Sequence, residues 1–155
     1  MRVSTKVRYG LRAVIELARS SGDFGGRRKP PLRTDTERGG MKCIIHRGLV
    51  PLTWIAEQQN ISLKYLERIF GRLKRAGLLE SSRKRGGGYR LKKSPDKVTV
   101  GEIMRALGDE TSLLRCVRNA DVCERSKRCA TRGFWKSLSD LIDMTVERTT
   151  IADFL

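Results

Sequence analysis

The stretch from residue 62 to residue 91 constrains the fold of this chain more than any other, because it joins an amphipathic basic helix to a glycine-rich hairpin. Apolar residues recur there at helical spacing and predict one buried stripe, formed by Leu63, Leu66, Ile69, Phe70 and Leu73. Ser62 is a good N-cap, since its hydroxyl can accept from the free amides of the first turn. Gly77 suits the left-handed residue that ends a helix, so the helix is predicted to stop there.

A hairpin is predicted directly after this helix. Residues 78–83 have strand character, residues 84–88 form a glycine-rich turn, and residues 89–91 return as a second short strand. Upstream, residues 52–59 predict a short helix and residues 60–61 a tight turn. Helix, turn, basic helix and basic hairpin together predict a winged helix-turn-helix, so the expected fold is mostly α with a small β-wing.

The net charge of +16 is concentrated in the same part of the chain. Residues 62–93 contain 11 Lys and Arg against 2 Asp and Glu, and residues 1–61 contain 12 against 5, whereas residues 94–155 contain 10 of each. A basic helix face can simply be solvated, but this asymmetry is typical of a nucleic-acid partner, because neutralised phosphates release counterions. We therefore expect binding to double-stranded DNA.

An amphipathic first helix, capped by Ser4, is predicted near the N-terminus. Its apolar positions are Val7, Leu11, Val14, Ile15 and Ala18. Residues from about 22 to 47 hold little that could be buried, and they predict a flexible inserted loop. Cys43 and His46 in that loop could ligate a metal, but two ligands are weak evidence for a site. Residues 1–98 are thus predicted to form the winged helix-turn-helix region.

Residues 99–155 are predicted to form a second region. Thr99 and Glu102 make a capping box that starts a helix ending at Gly108. After a polar loop, a long helix is predicted from about Ser126 to about Arg148. Its apolar face carries Phe134, Leu138, Leu141, Ile142 and Thr145. We expect this face to pack against its twin in a homodimer, with packing against the first helix as the alternative.

Three of the four cysteines, Cys116, Cys123 and Cys129, lie within fourteen residues of the polar loop. Structural zinc prefers closer pairs and four ligands, and disulfides rarely persist in a reducing compartment. Basic neighbours favour the thiolate form, as does the expected position of Cys129 in the first turn of the long helix. Thiolates at irregular spacing suit an iron–sulfur cluster, while zinc and thiol redox sensing stay open as alternatives.

Other classes of protein fit the sequence poorly. No apolar run approaches the roughly 20 residues that span a bilayer, so no membrane contact is expected. Charged residues interrupt the apolar positions near the N-terminus, which argues against a signal peptide and predicts a cytoplasmic protein. No paired carboxylates or nucleophile–base arrangement is visible, so an enzyme is not expected.

The chain resembles the IscR/NsrR-type family of winged helix-turn-helix transcription regulators, which includes IscR, NsrR, RirA and CymR. The motifs that carry the resemblance are MRVSTKVRYGLRAV, ISLKYLERIFGRLKRAGL with GGGYRL, VGEIMRAL, the three cysteines, FWKSLSD and TTIADFL. Only about residues 22–47 fall outside it. The resemblance implies a homodimer that binds a pseudo-palindromic operator and carries a 2Fe–2S or 4Fe–4S cluster. The CymR branch implies instead a cluster-free regulator, controlled by thiol oxidation or a partner protein.

By position, Cys116, Cys123 and Cys129 match the cluster ligands of the family. The histidine that follows the last cysteine by three residues in IscR is replaced by Arg132 here, and the acidic ligand that other members draw from the partner's first helix falls near Arg8. Neither arginine can ligate iron, because the guanidinium stays protonated. The remaining candidates for a fourth ligand are Asp121, Glu124, Cys43, His46 or an exogenous small molecule.

DNA contacts are expected from the recognition helix, the wing and the first residues of the chain. Glu67 lies near the N-terminal end of the helix and can accept from a cytosine amino group in the major groove. Arg83 and its neighbours are expected to reach the minor groove or its phosphates, and the resemblance supports both roles. The full predicted set is Ser62, Lys64, Tyr65, Glu67, Arg68, Arg83, Lys84, Arg85, Arg2 and Lys6.

Overall fold

The computed structural model describes residues 3–21, 48–83 and 87–155. Six α-helices and two strands are found in these ranges: α1 (Thr5–Ser20), α2 (Leu52–Gln59), α3 (Leu63–Arg75), β1 (Leu79–Ser82), β2 (Gly88–Leu91), α4 (Val100–Leu107), α5 (Arg115–Arg118) and α6 (Arg132–Arg148). Single 3-10 turns are formed by Pro95–Lys97, Ala120–Val122, Ser126–Arg128 and Ile151–Phe154. The predicted fold class, mostly α with a small β-wing, is confirmed.

Helices α2 and α3 form the helix-turn-helix at the predicted positions. The turn between them is made by Asn60, whose φ of 50° is left-handed, and Ser62 is the N-cap of α3. The Ser62 hydroxyl makes no capping hydrogen bond, however, so that part of the prediction was wrong. Its carbonyl oxygen instead accepts from the amides of Tyr65 and Leu66, at 3.1 and 3.0 Å.

The apolar stripe of α3 is buried as predicted, with one exception. Leu66, Ile69, Phe70 and Leu73 are buried, whereas Leu63 is 38% exposed. Leu63 is the first residue of the helix and faces the cleft beside the wing, so it lies beyond the reach of the core. Gly77 has the expected left-handed conformation, with φ 76°, just after the end of α3.

The wing is an antiparallel hairpin that pairs Leu79 with Leu91 and Ser82 with Gly88. Residue 50 extends this small sheet, because the backbones of Val50 and Tyr89 exchange two hydrogen bonds of 2.8 Å. Any side chain at position 88 would overlap the carbonyl group of Val50. The glycine therefore permits the wing to pair closely with the chain that enters α2.

One hydrophobic cluster unites α1, the helix-turn-helix, the wing, α4 and the last 3-10 turn. Ser4 caps α1 by accepting from the amide of Val7, and the predicted capping box of Thr99 and Glu102 begins α4. Ile151 is fully buried, and its amide donates to the carbonyl of Val98 at 2.9 Å. Residues of both predicted regions thus contribute to the same core.

The long helix starts later than the sequence predicts. Residues 126–128 form a separate 3-10 turn, and α6 begins at Arg132. The backbone of Cys129 is extended, with ψ 114°, so the expected position of this residue in the first helical turn was wrong. The polar loop before it is partly ordered into α5 and two 3-10 turns.

Some predicted features fall outside the described residues. They are the inserted loop with Cys43 and His46, the wing residues Lys84 and Arg85, and Arg2 at the start of the chain. Among the helices that are described, none is long and apolar enough to cross a membrane.

Candidate DNA-binding surface and cysteine segment

The outer face of α3 presents three of the predicted DNA contacts to solvent. Lys64, Glu67 and Arg68 are exposed, and Ser62 is exposed at the N-cap. Tyr65 is half-buried instead, and its ring packs edge-on against that of Tyr9 in α1, with the centroids 6.0 Å apart. The aromatic contact fixes the first turns of α3 against α1, so the exposed side chains project from a supported helix.

A cleft of about 400 Å³ separates α3 from the wing. Leu63, Glu67 and Arg83 are among its lining residues. On the same wall, the Lys74 ammonium donates to the Ser81 hydroxyl of β1 at 2.6 Å. This bond joins the recognition helix to the wing. The cleft is therefore lined by an acidic hydrogen-bond acceptor on the helix and by a cation on the wing.

Lys6 has a different environment from the one that its predicted role implies. Its ammonium donates to the carbonyl of Leu107, at the end of α4, over 3.2 Å. Arg72 of α3, which the sequence does not distinguish from other surface arginines, donates to the same carbonyl at 3.2 Å. Two basic side chains of the winged helix-turn-helix region, one on α1 and one on α3, therefore donate to the same carbonyl oxygen of α4.

The three cysteines of the loop are free thiols. Cys116 and Cys123 are half-buried and Cys129 is exposed. The hydroxyl of Thr131, 3.4 Å from the Cys129 sulfur, lowers the pKa of that thiol, and the Thr131 amide and Arg132 add to the effect. Thiolate character at Cys129 is thus favoured by hydrogen bonding, although the residue does not lie in the first turn of a helix.

Arg132, at the position of the family's histidine, holds the backbone of the loop. Its Nε donates to the carbonyl of Cys116 at 3.3 Å, which ties α5 to the first turn of α6. Nearby, Arg118 forms an exposed ion pair with Glu110. The arginine that replaces a potential ligand therefore has a structural contact of its own.

The three cysteine thiols fit an iron–sulfur cluster in their chemistry, but they are not gathered around one position that a metal could occupy. Three unpaired thiols, one with a lowered pKa, are ligands that iron prefers. Nevertheless, the described residues include no group of three or more His, Cys, Asp or Glu side chains close enough to hold a metal ion. Ligation would require the cysteine segment, residues 109–131, to change its conformation.

Helix α6 has two faces that differ in burial. Ser139 is buried, and Trp135, Ile142 and Val146 are half-buried along the face that packs against α4 and α5. The other face carries Phe134, Leu141 and Met144, which are 63%, 54% and 44% exposed. Leu138 lies between them and is half-buried. Of the four residues predicted for a dimer interface, Phe134 and Leu141 are thus largely uncovered in the single chain.

Comparison with known proteins agrees with this architecture. Residues 41–155 match the model of the Rrf2 family, described as an iron-dependent transcriptional regulator. The HTH-type transcriptional regulator IscR of Erwinia tasmaniensis is 32% identical over 155 residues, which cover 100% of this chain and 79% of that protein.

Two solved structures are similar over almost the whole chain. The global cysteine regulator CymR of B. subtilis has a TM-score of 0.70 at 30% identity, covering 99% of this chain and 95% of that one. T. potens IscR has a TM-score of 0.66 at 28% identity, covering 99% and 85%. These likenesses confirm the family resemblance, and with it a regulator rather than an enzyme. The chain belongs to the Rrf2 family of winged-helix transcription regulators.

Proposed function

We propose that the protein is a homodimeric regulator whose operator binding is gated by an iron–sulfur cluster on Cys116, Cys123 and Cys129. The observation that carries the proposal is the position of these free thiols. They lie on the one segment that joins α4, which packs against the recognition helix, to α6, which has an uncovered apolar face. A ligand bound there can influence both DNA reading and subunit contact.

On DNA, the exposed residues of α3 would enter the major groove. Glu67 accepts from a cytosine amino group, while Ser62, Lys64, Tyr65 and Arg68 contact neighbouring bases and phosphates. Arg83, Lys84 and Arg85 of the wing, together with Arg2, would reach the minor groove or the backbone. Lys6, predicted with them, would have to release the Leu107 carbonyl to make such a contact. Two copies related by a two-fold axis would read the two halves of a pseudo-palindromic operator.

The second copy would cover the exposed face of α6. Phe134, Leu138, Leu141 and Ile142 supply the contact, because a large apolar surface exposed to water is stabilised by burial against its own symmetry mate. In this arrangement the cysteine segments lie beside the interface, since α6 follows them directly in the chain.

Within each chain, the three cysteines would hold the cluster as thiolates, and the bound cluster would cross-link three points of the cysteine segment. Arg132 and Arg8 cannot complete the ligand set. Asp121 and Glu124 are the acidic candidates within the cysteine segment, and Cys43, His46 or a small exogenous ligand are the others. An iron left without a fourth protein ligand would be labile, as suits a sensor of iron, nitric oxide or redox stress.

Anaerobic reconstitution with iron and sulfide tests the cluster. We expect the wild type to bind iron and to gain visible absorption, and Cys123→Ala to lose most of both. Cys43→Ala removes the one cysteine outside the segment: an unchanged iron content excludes Cys43 as the fourth ligand, and a loss of iron assigns it that place. Equal iron content in wild type and Cys123→Ala would contradict the ligand assignment.

Operator titration tests the readout. Glu67→Ala should weaken binding to the specific duplex more than to a random one, because loss of a base contact costs about 1–3 kcal/mol of discrimination. Glu57→Ala is the control, since Glu57 is an exposed glutamate of α2 outside the recognition helix. A uniform change on both duplexes would show that Glu67 does not read sequence.

A cluster-free regulator of the same fold is the second candidate. Two observations favour it: the similarity to CymR, the global cysteine regulator of B. subtilis, and the lowered pKa of the exposed Cys129 thiol. In that case oxidation of the thiols or a partner protein controls DNA binding. A colourless, iron-free protein after anaerobic purification, with operator affinity that responds to oxidant, would select this candidate.

A further inference from the structure

The end of α4 is attached to both α1 and α3 through a single carbonyl group. The carbonyl oxygen of Leu107 accepts from Lys6 Nζ and from Arg72 Nη1, each at 3.2 Å. Carbonyls in the last turn of a helix lack partners within the helix, so they are free to bind other groups. Both donors are cationic, which strengthens the bonds relative to neutral ones and suits the negative end of the helix dipole.

The side chain of Leu107 reinforces this attachment. It is fully buried, and it packs where α1 passes without a side chain at Gly10. A Cβ atom on Gly10 would lie 2.5 Å from Leu107 Cδ1 and 3.3 Å from Ile69 Cγ2 of α3. Three helices therefore meet at one leucine, and displacement of that leucine must displace its neighbours, because packed cores have little free volume.

Asp109 adds a third link, two residues beyond the end of α4. Its carboxylate accepts from the backbone amide of Ser4, the N-cap of α1, at 2.7 Å. The α4 junction is defined here as Leu107 and Asp109 together with Ser4, Lys6 and Arg72, which bind them. Through it, the first residues after α4 are attached to the start of α1 and to the recognition helix.

The chain that leaves this junction is attached to α6 before it reaches the cysteines. Thr111 binds Asp143, and the amide of Leu113 donates to the Ser139 hydroxyl at 3.2 Å. Cys116 is then held by Arg132. Residues 107–116 thus connect two places: Leu107 is bound by Arg72 of the recognition helix α3, and Cys116 is the first of the three cysteines.

We propose that Arg72 and Asp109 are positioning residues that transmit the state of the cysteine segment to the recognition helix. When the thiols are drawn together by a ligand, the segment shifts, and the junction passes that shift to α3 and α1. The proposal rests on the proposed gating. It assigns to Arg72 a role inside the protein, in contrast to the phosphate contact that an exposed arginine on a recognition helix would otherwise suggest.

The quantity to measure is the ratio of operator affinities in the reconstituted and metal-free forms, because coupling between two sites is defined by that ratio. Arg72→Ala and Asp109→Ala should bring the ratio toward 1, a loss of about fivefold or more if the wild type shows ordinary coupling. Arg72→Lys and Asp109→Asn keep a donor and an acceptor at the same places, so they should preserve most of the wild-type ratio. Arg75→Ala is the matched control, since it removes an exposed arginine from the last turn of the same helix.

Each outcome separates the possible roles. If Arg72→Ala weakens both forms by one factor, Arg72 contacts phosphate directly and the proposal is overturned. Equal ratios in wild type and in Asp109→Ala overturn it as well, and so does a loss in Arg75→Ala as large as in Arg72→Ala. A wild-type ratio of 1 overturns the gating itself, and the coupling with it. Thermal unfolding of each metal-free variant shows whether it is folded, and Asp109→Ala, which removes a separate contact of the junction, keeps the test decisive if Arg72→Ala does not fold.

Discussion

The winged-helix core and the region from residue 108 to residue 150 differ in what they bury. Within the described chain, every buried hydrophobic side chain lies outside residues 108–150. The only buried residues inside that range are two serines, Ser126 and Ser139. Its large apolar side chains are either half-buried or exposed, and the exposed ones are Leu114, Val122, Phe134, Leu141 and Met144.

The difference indicates where each region obtains its stability. Burial of apolar surface is the main stabilising contribution in folding, and the core obtains it within one chain. The 108–150 region is held mainly by hydrogen bonds and ion pairs, which contribute less when they are exposed. Burial against the proposed second copy and ligation of the proposed cluster are therefore expected to stabilise this region more than the core.

The largest expected effect is on the stability of the core. Leu66→Ala should lower the free energy of unfolding by about 2–5 kcal/mol, because Leu66 is fully buried and its truncation leaves a cavity. Leu63→Ala makes the same change three residues earlier in the same helix, at a position that is 38% exposed. Leu63→Ala should lower the free energy of unfolding by less than about 1 kcal/mol. Urea denaturation of the two variants measures the contrast, and equal losses would contradict the assigned burial.

The next effect concerns the uncovered face of α6. Leu141→Asp should convert a dimer to a monomer in sedimentation, because the carboxylate would be buried without a partner at the interface. Since Leu141 is 54% exposed in the single chain, the fold of each subunit should survive. Lys136→Asp introduces a carboxylate on the polar side of the same helix and should leave the dimer intact. If Leu141→Asp remains a dimer, the proposed interface on this face of α6 is wrong.

A smaller effect distinguishes the three thiols of the metal-free chain. Cys129 should be alkylated fastest by iodoacetamide, because it is exposed and the Thr131 hydroxyl lowers its pKa, which raises the thiolate fraction near neutral pH. Thr131→Val keeps the side-chain shape but loses the hydroxyl, and it should slow Cys129 alone. Peptide mass spectrometry at fixed times gives the order in which the three cysteines are alkylated. If Cys116 or Cys123 reacts first, the segment has a different conformation in solution.

The smallest effect is a pH dependence at the contact between α6 and α4. Arg105 binds Glu147 through both carboxylate oxygens and lowers the pKa of that group below its usual 4.5. A depressed pKa in the folded state stabilises the protein above pH 4.5, and this contribution is lost as the pH falls through the lowered value. Because the pair is largely exposed, less than about 1 kcal/mol is expected.

Comparison of Glu147→Gln with the wild type isolates the contribution of the Arg105–Glu147 ion pair to the free energy of unfolding. The difference in unfolding free energy should be present at pH 7 and should shrink as the pH falls below the ordinary carboxyl range. A difference that is constant with pH would mean that the ion pair contributes nothing through ionisation.

The sequence predicts the core well because its signals are local. Caps at Ser4 and Thr99, the glycine after α3 and the helical spacing of apolar residues each specify an element without reference to distant contacts. The exposure of Leu63 could not be predicted, since it depends on where the wing lies relative to the first turn of α3. Helical spacing alone assigns that residue to the buried stripe.

The start of α6 and the α4 junction were beyond sequence reasoning for the same reason. Residues 126–131 contain no strong helix breaker, yet Cys129 is extended and Arg132 binds the distant Cys116 carbonyl. Arg72 likewise resembles any basic surface residue until α4 is placed beside it. Tertiary contacts decided both cases.

The wing has one further property, which follows from the missing side chain at Gly88. The carbonyl group of residue 50 occupies the space that a methyl group on residue 88 would need, so the two backbones can lie in direct contact. Gly88 pairs with Ser82, and Arg83 follows Ser82 directly in the chain. A Gly88→Ala protein is therefore expected to have its hairpin displaced from residue 50 at the register position beside Arg83, which would change where that arginine can reach in the proposed contact with DNA.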